Sequence, residues 1–397
     1  MNLSIETSLN IYFKLFVTYP YSLNLILIFI KKTSQIYMNY IKFKLAVQIF
    51  LFATWTLGSC QKSVSNANDT VVVAPTISSL KNKTTTFFVG VATSTPKLAI
   101  SNYTQLIERE FESITAEYQM KMDVILSTKG IYNWSKADEI VNYSITKGLR
   151  VHGHGLIWHE STPDWLVNYK GTDAEFELEV KNYITAVVTR YKDKVTSWDV
   201  VNEAVADAGG TLRNTIFKQR MGDDYMVKCF KWARDADPNC KLFYNDYGFE
   251  TNIPKQSKIF ELILDWKNRN IPINGIGFQM HINYLTPKAQ MQDAITKAVS
   301  TGLLIHFSEL DIRMNPNNDI SSFITERSTA QQLKYKEVVS MYNAIPVVNK
   351  FGITVWGVKD DDSWLLKHHN NYNEWPLLFD STFKAKKAHL GFLEGIN

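Results

Sequence analysis

Between residues 86 and 397 the chain repeatedly alternates a short β-branched or aromatic run with a longer helical pattern. This alternation constrains the fold more than any other feature, because successive βα units place their strands parallel in one sheet with helices outside. The strand-like runs are Phe87–Ala92, Ser113–Ala116, Arg150–Ile157, Thr196–Val201, Lys241–Asn245, Gly275–Met280, Leu303–Ser308 and Gly352–Trp356. Helical patterns lie between them, as in Ala137–Lys147, Glu175–Tyr191 and Met221–Asp235. Eight such units with long loops predict an α/β fold, a (β/α)8 TIM barrel with a single core.

Polar and aromatic residues collect where these runs end: Glu117, then His154, Trp158 and His159, then Asn202–Glu203, Asn245–Asp246–Tyr247, Gln279 and His281, Glu309 and Asp311, and Trp356. One strand that stops at a carboxylate has simply reached solvent. Seven strands that end in polar or aromatic side chains aim, in a barrel, at one mouth, where chemistry resides in this architecture.

The barrel is preceded by a leader and a linker. Five lysines and one glutamate lie in residues 1–60, so the net charge of +4 falls entirely there. The neutral remainder has no electrostatic footprint for nucleic acid and suits an uncharged substrate. Met38 opens a signal-like pattern: Lys42 and Lys44, then the apolar Leu45–Leu57, too short to span a bilayer, then Gly58–Ser59–Cys60. LGSC resembles the lipobox of bacterial lipoproteins, which implies acylation of Cys60, export and a membrane anchor. An ordinary secretory signal is the other reading of the same residues. Met38 is the expected true start. Residues 61–85 are polar and Ser/Asn/Thr-rich and read as a flexible linker. Two cysteines remain, Cys229 and Cys240, expected as buried free thiols. No zinc-type Cys/His spacing occurs, and no metal or cofactor is expected.

Glu203 and Glu309 follow the fourth and seventh strand-like runs. Two carboxylates across a small mouth suit glycoside hydrolysis, where one group protonates the leaving oxygen and the other attacks or stabilises the anomeric carbon. A gap of about 5 Å would mean direct attack with retention. Trp158, Trp356, Trp364 and Tyr247 could pack against the C–H faces of sugars, and Asn202, Asn245, Gln279 and Lys121 could meet their hydroxyls. Trp198 lies inside its strand and is assigned to the core.

The segments WDVVNEA (198–204), GHGLIWHESTPDW (153–165), NDYGFE (245–250), GIGFQMHI (275–282), SELDIR (308–313) and WGVKDDDSW (356–364) resemble glycoside hydrolase family 10, the retaining endo-β-1,4-xylanases. The resemblance runs from about Phe87 to Phe392. It implies Glu203 as acid/base and Glu309 as nucleophile, with Asn202 on the sugar 2-hydroxyl. It implies that His281 contacts Glu309, that Gln279 helps hold both carboxylates, and that Asp311 stands behind His281. His154 and Trp158 would line the glycone side, Trp356 would form a wall and Trp364 a cover. Glu117 and Lys121 would grip the next sugar outwards, and Tyr247 would also meet substrate. The implied partners are xylan and xylo-oligosaccharides, bound by a monomer.

The chain departs from the family pattern in places. Where ENEMKW is usual it has Glu117–Tyr118–Gln119–Met120–Lys121–Met122, and Ser161 and Ser308 replace a Gln and a Thr. Tyr118 is expected to stack on a glycone sugar or to narrow its subsite. Two other readings stay open at this level. A metal hydrolase could use the HGH of residues 152–154 with His281. A glycan-binding lipoprotein could have kept the mouth and lost turnover.

Overall fold

The computed structural model describes residues 78–397. The expected leader, Cys60 and most of the linker lie outside these residues. The last part of the expected linker is packed against the barrel: Leu80 is fully buried, and its backbone N–H donates to Glu110 Oε2 at 3.0 Å. The ordered body therefore begins before residue 86.

The strands are β1 (Phe88–Thr93), β2 (Ser113–Ala116), β3 (Arg150–Gly153), β4 (Ser197–Asn202), β5 (Lys241–Asp246), β6 (Gly275–Phe278), β7 (His281–Asn283), β8 (Leu304–Arg313) and β9 (Lys350–Val355). All neighbours pair in parallel in the order β6-β5-β4-β3-β2-β1-β9-β8, and β6 pairs with β8 to close the barrel. The expected (β/α)8 architecture is therefore present. The strand interiors are buried almost throughout, as parallel strands covered on both faces must be.

Three differences from the sequence expectation have local causes. The third strand ends at Gly153 rather than Ile157, although Leu156 and Ile157 still donate to the carbonyls of Asp199 and Val200. Gly153 is required there: a Cβ would sit 2.2 Å from the Trp198 ring. The helix expected over 221–235 is present but begins at Tyr225 and runs to Ala236, because Gly222 takes φ +80° and ends a separate short helix, Ile216–Met221, just before it. β8 runs on to Arg313 because the short β7 pairs with its far end, His281 opposite Asp311.

The helix Asp173–Arg190 shows how the outer layer is specified locally. Thr172 accepts from the Glu175 N–H while the Glu175 side chain accepts from the Thr172 N–H, a complete capping box. Phe176, Val180, Tyr183, Ile184, Val187 and Val188 then form its buried face at helical spacing. Cys229 and Cys240 are buried free thiols, and Trp198 is a core residue.

Candidate active site

The mouth is built where regular pairing breaks. Register shifts occur between Asp199 and Val201 on β4, and between Phe307 and Leu310 on β8. Bulges of this kind re-aim side chains, and they fall beside Glu203 and on Glu309. Glu203 itself takes φ +57°, and Met280, between Gln279 and His281, takes φ +58°. Left-handed backbone costs a non-glycine residue about 1–2 kcal/mol. Here it turns the chain so that Glu203, Gln279 and His281 face one another across the barrel.

Both carboxylates are buried, Glu203 8% and Glu309 4% exposed. Glu203 Oε2 accepts from Trp158 Nε1 at 2.8 Å. Its Oε1 accepts from Gln279 Nε2 at 3.0 Å and from Asn202 Nδ2 at 3.3 Å. Glu309 Oε1 accepts from Asn245 Nδ2 at 2.7 Å, and its Oε2 lies 3.3 Å from His281 Nε2. His281 Nδ1 is 2.9 Å from Asp311 Oδ2, which also accepts from Trp364 Nε1 at 3.0 Å. Asp311 thus stands behind His281 as the resemblance implied.

The two carboxyls are driven in opposite directions. Burial pushes Glu203 up to about 7, and the charges of Asp246 and Glu309 add to this against the hydrogen bonds from Gln279 and Trp158. Desolvation is the largest of these causes and the Glu309 charge a smaller one. Glu309 is buried too, but the positive fields of His154 and His281 outweigh that burial and hold it below its ordinary value. His281 is raised to about 10, since Asp311 and Glu309 together overcome the desolvation that opposes its charge.

The other implied residues also gather at the mouth, with changes of partner. Gln279 reaches Glu203 and Asn202, the latter at 3.2 Å. The side chain that joins this group to Glu309 is Asn245, whose Nδ2 also donates to Asn202 Oδ1 at 2.9 Å. Ser308 Oγ donates to Asn245 Oδ1 at 2.6 Å and fixes the amide, so the hydroxyl at this position suffices. His154 Nδ1 lies 2.9 Å from Asp199 Oδ2 and 4.0 Å from Glu309 Oε1. The Trp356 ring meets His154 edge-on at 5.2 Å, and Trp364 meets His281 at 4.9 Å. Lys121 Nζ sits 4.4 Å above the Trp158 ring, while Glu117 pairs with Lys97 at 3.3 Å. Tyr247 is braced by Asp207, which its hydroxyl bonds, and by Arg213 Nη2 at 3.3 Å. Arg213 Nε donates to the Glu203 carbonyl at 3.1 Å.

Sequence reasoning passed over Asp199 and Lys97, and named Asp246 as a strand-end residue without giving it a role. Asp199 receives both His152 Nε2, at 3.0 Å, and His154, and Asp246 is paired with Lys255 at 2.8 Å. The signal available was their position: a carboxylate inside a buried strand must have a partner. Both imidazoles of the HGH motif are thus directed at one aspartate, and among the described residues no group of three or more His, Cys, Asp or Glu could hold a metal ion.

The Glycosyl hydrolase family 10 model matches residues 79–394. A Beta-1,4-xylanase from Dictyoglomus thermophilum is 35% identical over 359 residues, covering 87% of this chain and 97% of that one. Endo-1,4-beta-xylanase B from Paenibacillus barcinonensis is 33% identical, covering 76% and 93%. Endo-beta-1,4-xylanase Xyn10C from Cellvibrio japonicus is 34% identical, and the match spans 56% of its length. Among solved structures, a xylanase 10C mutant from Cellvibrio japonicus in complex with xylopentaose superposes with a TM-score of 0.78 at 32% identity, covering 81% of this chain and 69% of that one.

Proposed function

This chain belongs to glycosyl hydrolase family 10, and we propose from that premise how its residues divide the reaction. The protein is a retaining endo-1,4-β-xylanase, a glycoside hydrolase that acts on xylan and xylo-oligosaccharides. Glu309 is the nucleophile and Glu203 the acid/base. The observation that carries this assignment is the setting of two buried carboxyls tied together through Asn202 and Asn245: Glu203 accepts from Trp158 and Gln279, while Glu309 lies against His281 with Asp311 behind it. Burial raises the first and the histidines lower the second, in keeping with these roles.

In the first step a Glu309 oxygen attacks the anomeric carbon. The glycosidic C–O bond breaks, and Glu203 gives its proton to the departing oxygen. In the second step Glu203 takes a proton from water, the water oxygen bonds the anomeric carbon, and the ester bond to Glu309 breaks. Esterification removes the Glu309 charge, so one of the influences that raise Glu203 is gone when it must act as a base. Asn202 is placed to meet the sugar 2-hydroxyl. His281 fixes Glu309, and Trp356 with Trp364 closes the glycone side. His154, Trp158, Glu117 and Lys121 line that side, and Tyr247 also meets substrate.

The direct test is reducing-end release from xylan, with Glu309→Ala as control and carboxymethyl cellulose alongside. Release of short xylo-oligosaccharides by the parent and none by the variant is expected. Equal release by the variant would remove Glu309 from the mechanism.

We also propose that the protein is exported and anchored through an acylated Cys60, and acts as a monomer. LGSC, the apolar Leu45–Leu57 and the basic Lys42 and Lys44 support the anchor. Intact mass of the native protein tests it, since a mature chain that begins elsewhere and carries no acyl mass rejects the anchor.

A further inference from the structure

Outside the mouth, one surface cavity combines exposed aromatic area with free acceptors. It has a volume of about 390 Å³ and is lined by Phe323, Tyr372, Trp375, Asp361, Asp380 and Leu366, among others. That size is within the range of ligand sites, about 300–1,000 Å³. Phe323 and Trp375 stack at 5.2 Å with an interplanar angle of 26°, and Tyr372 stands beside them 71% exposed.

The charges around this cavity disfavour an anion. Lys386 Nζ is already taken by Asp360 at 3.0 Å and by the carbonyls of Trp375 and Leu377 at 2.9 Å each. Lys387 Nζ donates to Thr329 Oγ1 at 3.0 Å. On the acceptor side, Asp361 bonds Lys359 through Oδ2, and Asp380 accepts Thr382 and Lys384 through Oδ1. Each keeps its second oxygen without a partner among the described residues. Lys386 also lies 4.8 Å over the Phe323 ring, which stacks on Trp375, so the open aromatic area is that of Tyr372 and the outer part of Trp375. Beside the free oxygens of Asp361 and Asp380, with Lys387 the one lining cation that has no carboxylate partner among the described residues, that area suits a neutral ligand with C–H faces and hydroxyl donors.

The position of the cavity selects which such ligand it meets. Leu366 belongs to the helical turn Trp364–His368. On the other side of that turn the Trp364 indole donates to Asp311 and meets His281 edge-on. One short turn thus contributes a residue to the mouth and a residue to the cavity. We propose that the cavity is a second, non-catalytic binding site for a xylan chain, centred on Tyr372 and Trp375. The proposal rests on the xylanase reading.

The test measures binding of the full chain to insoluble xylan in a Glu309→Ala background, with Tyr372→Ala and Tyr372→Ala/Trp375→Ala added. In parallel the catalytically intact forms are assayed on an aryl xylobioside, which fills only the mouth. Loss of stacking area should weaken polymer binding about five-fold and raise KM on polymeric xylan. Aryl xylobioside turnover should stay unchanged. Unchanged polymer binding by the double variant, with aryl turnover intact, overturns the proposal. If Trp375→Ala disturbs folding and aryl turnover falls, the exposed Tyr372→Ala alone decides. A parent that cleaves neither substrate defeats the xylanase reading instead, and the binding comparison still reports on the cavity.

Discussion

Asn245 Nδ2 donates to Glu309 Oε1 at 2.7 Å, and the same nitrogen lies 2.9 Å from Asn202 Oδ1. One amide, oriented by Ser308, therefore ties the nucleophile on β8 to the residue beside the acid/base on β4. The two carboxylates do not find their separation independently; a third strand sets it.

Asn245→Ala should lower kcat about 100-fold with little change in KM, because a displacement of about an ångström at the reacting atoms costs that much. Asn245→Asp separates positioning from mere support. A carboxylate next to Glu309 makes its ionisation harder, so the acid limb of the pH profile should move upward. An unmoved limb would leave Asn245 a structural residue only.

The pH dependence of kcat/KM should be bell-shaped. Activity falls on the acid side as Glu309 gains a proton, below the ordinary carboxylate range because His154 and His281 hold it down. It falls on the alkaline side near 7, as Glu203 loses its proton. Initial rates at substrate concentrations well below KM would show both limbs.

Stability should carry the signature of Glu203 in the same direction. Its folded value of about 7 lies above the ordinary 4.5, so the folded state holds the proton more tightly than the unfolded one. That contribution is complete below 4.5 and is lost as pH rises through 7. Glu203→Gln carries no charge to desolvate. It should match the parent near pH 4 and exceed it by on the order of 3 kcal/mol near pH 9, as read from denaturant unfolding. A constant difference at all pH values would contradict the assignment.

Tyr118, half exposed and 5.2 Å from Lys121 Nζ, occupies the position where the family usually has Asn. Glycone binding is expected to be weak, so that cleavage of short oligosaccharides is set from the other side. Tyr118→Asn should lower KM about two- to ten-fold through a regained hydrogen bond and shift the products of end-labelled xylo-oligosaccharides. A parent pattern already governed by strong glycone binding would reject this.

The barrel was legible in the sequence because buried parallel strands are mostly apolar runs, and polar residues gather at their ends. Glu203, Glu309, His281 and Asp311 could be read in their places for that reason. What escaped were pairings between residues distant in sequence. Asp199 interrupts an apolar strand and looks like noise until His152 and His154 of β3 are beside it. Asn245 was read as a sugar partner, since nothing local reveals that β5 lies between β4 and the route to β8. β7 was hidden for the same reason: three residues make a strand only when the end of β8 is present to pair with.

The β1–β9 pairing, which joins the first strand to the last with Phe88 opposite Gly352, has a kinetic consequence. Across the mouth His154, beyond β3, meets Glu309 on β8 and Trp356 beyond β9, so these contacts are complete only after the first and last strands join. Contacts between strands so far apart along the chain form late, because loop closure must come before they stabilise anything. During refolding, helical signal should therefore recover ahead of turnover, and the delay between them times the closing of the ring. The enzyme in this sense reports its own completion: it acts only once the circle is whole.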